Sequence, residues 1–476
     1  MWHARIILLA TTAILAGIPL LRWHRVFFPL PPIAPPPGVS GVVVDDAGPC
    51  RGARVRIAGG VGGDLSDTRG QFFLSRSAST NVDAVVTAWK PGYFIAAAPV
   101  KNNPLLLRLR PMPREDHPDY RWVDPTPAAE AFSCGNCHPG VYAEWSESAH
   151  GPRRPGFQKA FHDLEQTHPE RSAVCLSCHD PAPLGGKSEP LAGFSDSGIH
   201  CDFCHKVADA TSETIGLTHG RFGLDLLRPN QGQMIFGPWI DSPRPENTYA
   251  PIQRSSRMCA ACHEGIVFGL RVYETWSEWL ASPAGARGIQ CQDCHMKPTG
   301  RMTNVAPFHG GIERDPRSIA NHRFFDGSQL EMLRRSLNFD VQIRGGTVLV
   351  NLEARDVGHH VPTGSPDRHL ILIVTWHDSE NRMLGEEHRI MAKRLRDAEG
   401  RSPVPFWQAV EIESDTRLLP HQPRQWQVAI PQGQAATVTV ELIYRRNWPG
   451  ASHKRDEKDG AWVVHRVVLP IESTPR

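Results

Sequence analysis

Ten of the eleven cysteines stand in five pairs with one local pattern: Cys134-Gly135-Asn136-Cys137-His138, Cys175-Leu176-Ser177-Cys178-His179, Cys201-Asp202-Phe203-Cys204-His205, Cys259-Ala260-Ala261-Cys262-His263 and Cys291-Gln292-Asp293-Cys294-His295. Two thiols at this spacing can add across the two vinyl groups of one porphyrin. The adjoining imidazole can then swing under the ring and ligate its iron. The pattern is the attachment signature of c-type haem. With 11 Cys and 23 His in 476 residues, chance supplies on the order of 0.01 such motifs per chain, so five are no accident. A structural zinc site takes four ligands from two knuckles; five pairs leave one over, and zinc does not explain the His after every pair. A thioredoxin-like redox motif needs one pair in a βαβ setting, which is absent. Disulfides within the pairs would not require the His. Cys50 follows Gly48-Pro49 with no lipobox-like lead and reads as a lone thiol on a loop.

These motifs need elements to hold them, and the chain has room for roughly three domains. Hydrophobic residues are 40% and charged residues 21%, an ordinary globular composition that excludes a disordered or many-span membrane protein. Lys plus Arg is 52 against 50 for Asp plus Glu, so no basic field points to nucleic acid. The 41 Gly and 42 Pro point to short elements joined by many loops. Haem attachment by this motif takes place outside the bacterial cytoplasm, so an export signal is expected. Ile6 to Leu21 is an apolar run after His3 and Arg5, without a clean small-x-small cleavage site. Trp2 and Trp23 bracket a stretch that would span about 33 Å as a helix, which favours an uncleaved anchor over a removed signal. The expected location is the periplasmic side of the inner membrane, or soluble and periplasmic if the segment is cleaved. Six prolines among Pro29 to Pro37 read as a polyproline II stalk of about 28 Å.

The rest divides into three segments, giving a multidomain fold: an N-terminal all-β sandwich at 38–111, a haem-rich, mainly α or irregular domain at 112–335, and a C-terminal all-β sandwich at 336–476. In the first, Gly41–Asp45, Ala53–Ile57, Gln71–Leu74 and Leu105–Leu109 are short β-rich runs between Gly, Asp and Ser turns. In the last, Phe339–Ile343, Thr347–Leu352, His369–Val374 and Thr437–Leu442 alternate in the same way. The five motifs start 41, 26, 58 and 32 residues apart, so the middle segment has little protein per haem and its core must be largely porphyrin. Gly41-Val42-Val43, Gly52-Ala53-Arg54-Val55, Asp67-Thr68-Arg69-Gly70-Gln71-Phe72 and Lys90-Pro91-Gly92-Tyr93 resemble the carboxypeptidase regulatory-like family, whose domains carry no chemistry of their own. The resemblance implies a spacer or docking module.

Further residues carry a second resemblance. They are Pro139, Tyr142, Trp145, Ser148 and His150 after the first motif, Gly198-Ile199-His200 before the third, and Phe236-Gly237-Pro238. Glu278-Trp279-Leu280, Met296, His322-Arg323-Phe324 and Gly358-His359-His360-Val361-Pro362-Thr363-Gly364 complete the set. Over roughly 125–450 the chain resembles multihaem cytochromes c of the superfamily that holds the tetrahaem carriers of nitrifying bacteria and the hydroxylamine oxidoreductases. The resemblance implies electron transfer, and a distal ligand in Trp-x-x-Ser-x-His, hence His150.

Each motif His (His138, His179, His205, His263, His295) leaves one axial position open on its iron. Histidine on both faces gives a low-spin haem of low potential. Candidates for the second face are His150, His200, His219, His309, His322 and one of His359 or His360, with His117 upstream. His162 and His168 flank a charged run and read as surface residues; His369 and His377 read as ordinary sandwich residues. No His lies between His219 and His263, where related sequences often carry one after Phe-Gly-Pro, so one haem is either ligated from elsewhere or open.

The expected function is a pentahaem electron carrier, not an enzyme, in an exported respiratory chain. Propionates turn the formal charge of +2 mildly acidic, which favours partners with basic docking patches: other cytochromes, or a quinol-oxidising or terminal reductase complex. The alternative is an oxidoreductase acting on a small nitrogen or sulfur compound at one open haem. Neither the Cys-x-x-Cys-Lys variant of pentahaem nitrite reductases nor the higher haem count of hydroxylamine oxidoreductases is present. A structural subunit of a larger cytochrome assembly would rest on the two sandwiches.

Overall fold

The computed structural model describes residues 38–75, 83–152, 198–211, 223–325, 330–431, 435–448 and 460–471, with position 433 and scattered positions between 161 and 179. The apolar run Ile6–Leu21, the proline stalk, Cys175 and His219 lie outside these residues. No helix among the described residues is long and apolar enough to cross a membrane.

Alternating burial in Gly38–Asp45 and Gln71–Ser75 turns one face of each strand inward. Gly38–Asp45 pairs antiparallel with Gln71–Ser75 and with the short Gly48–Pro49, and parallel with Leu105–Arg108. A second sheet runs Asp64–Leu65, Arg54–Ile57, Val85–Trp89, Ala96–Pro99. Val39, Val43, Phe72 and Leu107 of the first sheet meet Val55, Val86 and Ala88 of the second in one core, as a sandwich requires. Cys50 is the lone thiol on an irregular residue that the sequence suggests, and it is 3% exposed and belongs to this core. Its backbone N–H donates to Val43 O, its carbonyl accepts from Ser66 Oγ, and Lys90 Nζ reaches its sulfur at 3.7 Å.

The middle segment holds short helices and three two-stranded pairings, Val207–Thr211 with Gly223–Leu226, Ile235–Gly237 with Asn247–Tyr249, and Glu264–Val267 with Leu270–Glu274. The N-terminal sandwich docks on the second of these. Phe94 joins the core made by Val207, Met234, Phe236 and Ile252, and Ile95 N–H donates to Asn247 O at 2.9 Å. Asp241 takes Arg314 at 2.8 Å and, from the sandwich, Arg56 at 3.4 Å and the Gly59 N–H at 3.0 Å. The stretch without a histidine is therefore a docking platform.

The C-terminal segment is a second sandwich. One sheet runs Leu337–Arg344, Thr347–Ala354, Arg424–Ala429; the other runs Glu411–Asp415, Met383–Arg396, His369–His377, Thr437–Arg445, Ala461–Pro470. Val348, Val350 and Leu352 of the first meet Leu370, Leu372, Val374, Val440 and Leu442 of the second. His369 is 0% exposed, lies flat on Trp448 with ring centres 3.9 Å apart, and donates its Nδ1–H to Asp367 O at 2.9 Å. Burial, assisted by nearby Arg445, pushes its pKa down from 6.5 to about 4. The unfolded chain thus binds a proton that the folded chain excludes. This contribution is complete above about pH 6.5 and is lost as the pH falls toward 4, at most about 3 kcal/mol. His369→Phe keeps the stacking and is expected to flatten that part of a plot of urea midpoint against pH. An unchanged slope would assign the loss elsewhere.

Candidate haem-binding site

Four of the five motifs sit on helical turns: Cys134–Cys137, Cys201–Cys204, Ser256–His263 and Cys291–His295. Positions i and i+3 share one helix face, so each turn aims both thiols the same way. The turn Cys291–His295 is fixed by a capping box between Gln290 and Asp293, and Ser255 caps Ser256–His263 by accepting the Arg257 N–H. The second motif is described at Cys178 and His179 only.

The turns converge. The Cys134 thiol lies beside Cys201, Cys259 beside Cys291, and Cys262 beside Cys178. The first motif thus lies beside the third, and the fourth beside both the fifth and the second. Cys204 acts electrostatically on Cys259 and Cys262, which brings the third motif next to the fourth. Among the described residues no three of His, Cys, Asp and Glu gather into a metal cage.

The imidazoles are oriented by their Nδ1 atoms. His138 donates to Val305 O at 2.9 Å, His205 to Phe236 O at 2.6 Å, and His295 to Phe325 O. His322 donates to Ala320 O at 3.2 Å and His359 to His360 O at 2.9 Å. A proton held on Nδ1 leaves the Nε2 lone pair free for a metal. His200 is arranged the other way, because its Nδ1 accepts the Phe203 N–H at 3.2 Å. Its proton belongs on Nε2, and no lone pair is left to face an iron; it packs edge-on to Trp122 instead.

The separations fit a porphyrin iron. An imidazole–iron–imidazole axis puts ring centres about 6.2 Å apart, from two Fe–N bonds of about 2 Å and about 1.1 Å from each nitrogen to its ring centre. His295 and His359 stand 6.1 Å apart with nearly parallel rings, and His263 and His150 stand 6.2 Å apart. His205 and then His138 act electrostatically on His322, and Arg244 and then His309 on His138. His263 keeps accessible surface, yet the enclosing protein, then His150 and Arg368, push its pKa down to about 3. His162 is exposed beside Gln166 and Glu165, whereas His168 and His117 are half-buried.

Several supporting residues carry no motif. Glu144 accepts from the Asn321 side chain at 3.0 Å and the His322 N–H at 2.9 Å, fixing the His322 loop. Phe324, at φ +47°, sets its ring edge-on to His150 at 4.5 Å and to His322 at 5.9 Å. His150 is seated by Gly198, where an added Cβ would meet Gly151 O at 2.3 Å and φ is +62°. Within the third motif, buried Asp202 accepts from Lys206, from the Tyr120 hydroxyl at 2.9 Å and from the Val123 N–H at 3.0 Å. Gly198 and Phe324 stand out in the sequence only as part of the resemblance and Asp202 only as part of its motif; their contacts, and Glu144, are visible only in space.

Residues 133–206, which hold the first three motifs, match the family described as cytochrome c554 and c-prime. Among solved structures, a penta-heme cytochrome c552 from Thermochromatium tepidum shares the fold, with a TM-score of 0.54 and 23% identity over 71% of this chain and 97% of that one. No curated protein matches the sequence. The two matches support a multihaem cytochrome c.

Proposed function

We propose that the chain is a pentahaem electron carrier, with each Cys-x-x-Cys-His motif holding one covalent haem. In this reading His138 faces His309, His205 faces His322, His263 faces His150 and His295 faces His359. Each haem supplies a one-electron couple at the iron. The polypeptide sets ligand orientation through the Nδ1–H donations, excludes water and keeps neighbouring motifs in contact. The relay runs first, third, fourth motif, with the second and fifth both touching the fourth. One observation carries the reading: two His–His pairs at 6.1 and 6.2 Å, each joining a motif histidine to a remote one.

The carrier works in an exported respiratory chain, held at the periplasmic face of a membrane by Ile6–Leu21. It exchanges electrons with proteins that present basic docking patches. Residues 38–111 act as a carboxypeptidase regulatory-like docking module; their seat on Asp241 and Asn247 supports that role.

A pyridine haemochrome count on the purified holoprotein, read with its EPR spectrum, tests the assignment. Five haems, all low-spin, are expected. Fewer than five would overturn the motif reading. A high-spin signal near one in five would replace the carrier by an enzyme with one iron open to a small nitrogen or sulfur compound.

A further inference from the structure

The loop that carries His359 is held from two sides by buried charge. Val361 forms an antiparallel bridge with Leu418, N–H to carbonyl in both directions, at 2.9 and 3.0 Å. Glu278, on the haem-segment helix Thr275–Leu280, is 8% exposed. Its carboxylate accepts the Thr363 hydroxyl at 2.7 Å and the His360 N–H at 3.2 Å. The His360 carbonyl is the acceptor for His359 Nδ1–H, so one residue, His360, links the carboxylate to the imidazole. Arg417, 5% exposed and in the C-terminal segment, contacts Glu278 Oε1 at 2.7 Å and reaches Pro362 O at 3.3 Å. Asp415, at the end of the edge strand Glu411–Asp415, grips the other side of the guanidinium at 2.9 and 2.6 Å. A buried carboxylate that loses its cation is strongly destabilised, and the planar fork meets two carboxylates and a carbonyl at once in a way no Lys can copy.

We propose that Arg417 and Glu278 are positioning residues that hold His359 in the axial position opposite His295, so that the C-terminal sandwich controls ligation of the fifth haem. The proposal rests on the assignment of His359 as that ligand. Removing either charge would free the loop 358–364, so that His359 would no longer be held 6.1 Å from His295 to serve as a ligand.

The test uses the full-length holoprotein as Glu278→Gln, Arg417→Met, Arg417→Lys and His359→Ala, with Arg396→Gln as control; Arg396 pairs with Glu411 and Glu413 on the outer side of the same sheet. EPR spin counting and the optical spectrum are read before and after addition of imidazole. Glu278→Gln and Arg417→Met are expected to turn one haem in five high-spin, and imidazole to restore it. Arg417→Lys should recover part of the low-spin signal, and Arg396→Gln should keep all of it. If His359→Ala leaves five low-spin haems, the ligand assignment itself is wrong. If His359→Ala goes high-spin while both Glu278→Gln and Arg417→Met stay fully low-spin, the positioning role is overturned and the assignment stands. Should Arg417→Met not accumulate, the near-isosteric Glu278→Gln decides alone.

Discussion

Cys259→Ala combined with Cys262→Ala is expected to yield a protein with four covalent haems in which electrons entering at the first motif no longer reach the fifth. The fourth motif is the junction of the relay. Its two thiols contact Cys291 of the fifth motif and Cys178 of the second, and both feel Cys204 of the third. Without that porphyrin, His150 and His263, 6.2 Å apart, would lose the group proposed to lie between them. Truncating even one large apolar side chain in a core costs about 3–5 kcal/mol, so a comparable or larger loss of stability accompanies the break. Haem counting and flash photoreduction followed at haem-resolved wavelengths check both effects. Unchanged transfer between the outer motifs would show that the relay bypasses the fourth.

His150→Met is expected to raise one of the five midpoint potentials on the order of tenths of a volt, within the roughly 0.8 V that axial ligands span. His150 is well placed for a clean substitution. Its backbone is fixed from outside the ring, by the Ile199 N–H on its carbonyl at 2.9 Å and by Ser148 on its N–H at 3.1 Å, so a flexible thioether can reach the same point. Five low-spin haems are retained, which separates this result from simple ligand loss. A spectroelectrochemical titration in which all five potentials match the parent protein would exclude His150 as a ligand.

The five Cys-x-x-Cys-His pairs were legible in the sequence as a repeated spacing, because covalent attachment would fix residue type within five positions. Strands with clean alternation were legible too: Thr347–Ala354 and His369–His377 begin where the pattern does. Met383–Arg396 escaped notice because its first half carries Glu386, Glu387, His388 and Arg389 on an exposed stretch, and burial begins only at Met391. Ala96–Pro99 is half-exposed and made of small residues, so it too lacks the pattern. The second axial ligands were legible only as a set of candidates. His200 and His322 look alike as histidines in haem segments, yet the N–H of Phe203 occupies one Nδ1 while the other donates to Ala320 O. Which atom a ring offers to a metal depends on a backbone group that pattern reading does not locate.

The hydrogen bond from His138 to Val305 O joins residues 167 positions apart, and this sets an order on assembly. A chain delivered across a membrane from its N-terminus presents the first motif long before Val305 and His309 arrive. Only His150 precedes the motif histidine it faces; His309, His322 and His359 all follow theirs. In the proposed assignment, haem attached during export at the first and third motifs would meet polypeptide that still lacks His309 and His322. Contacts of this sequence separation are slow to form and leave apolar surface exposed meanwhile. In that assignment, a chain cut short before residue 300 would hold its first three motifs without Val305, His309, His322 and His359.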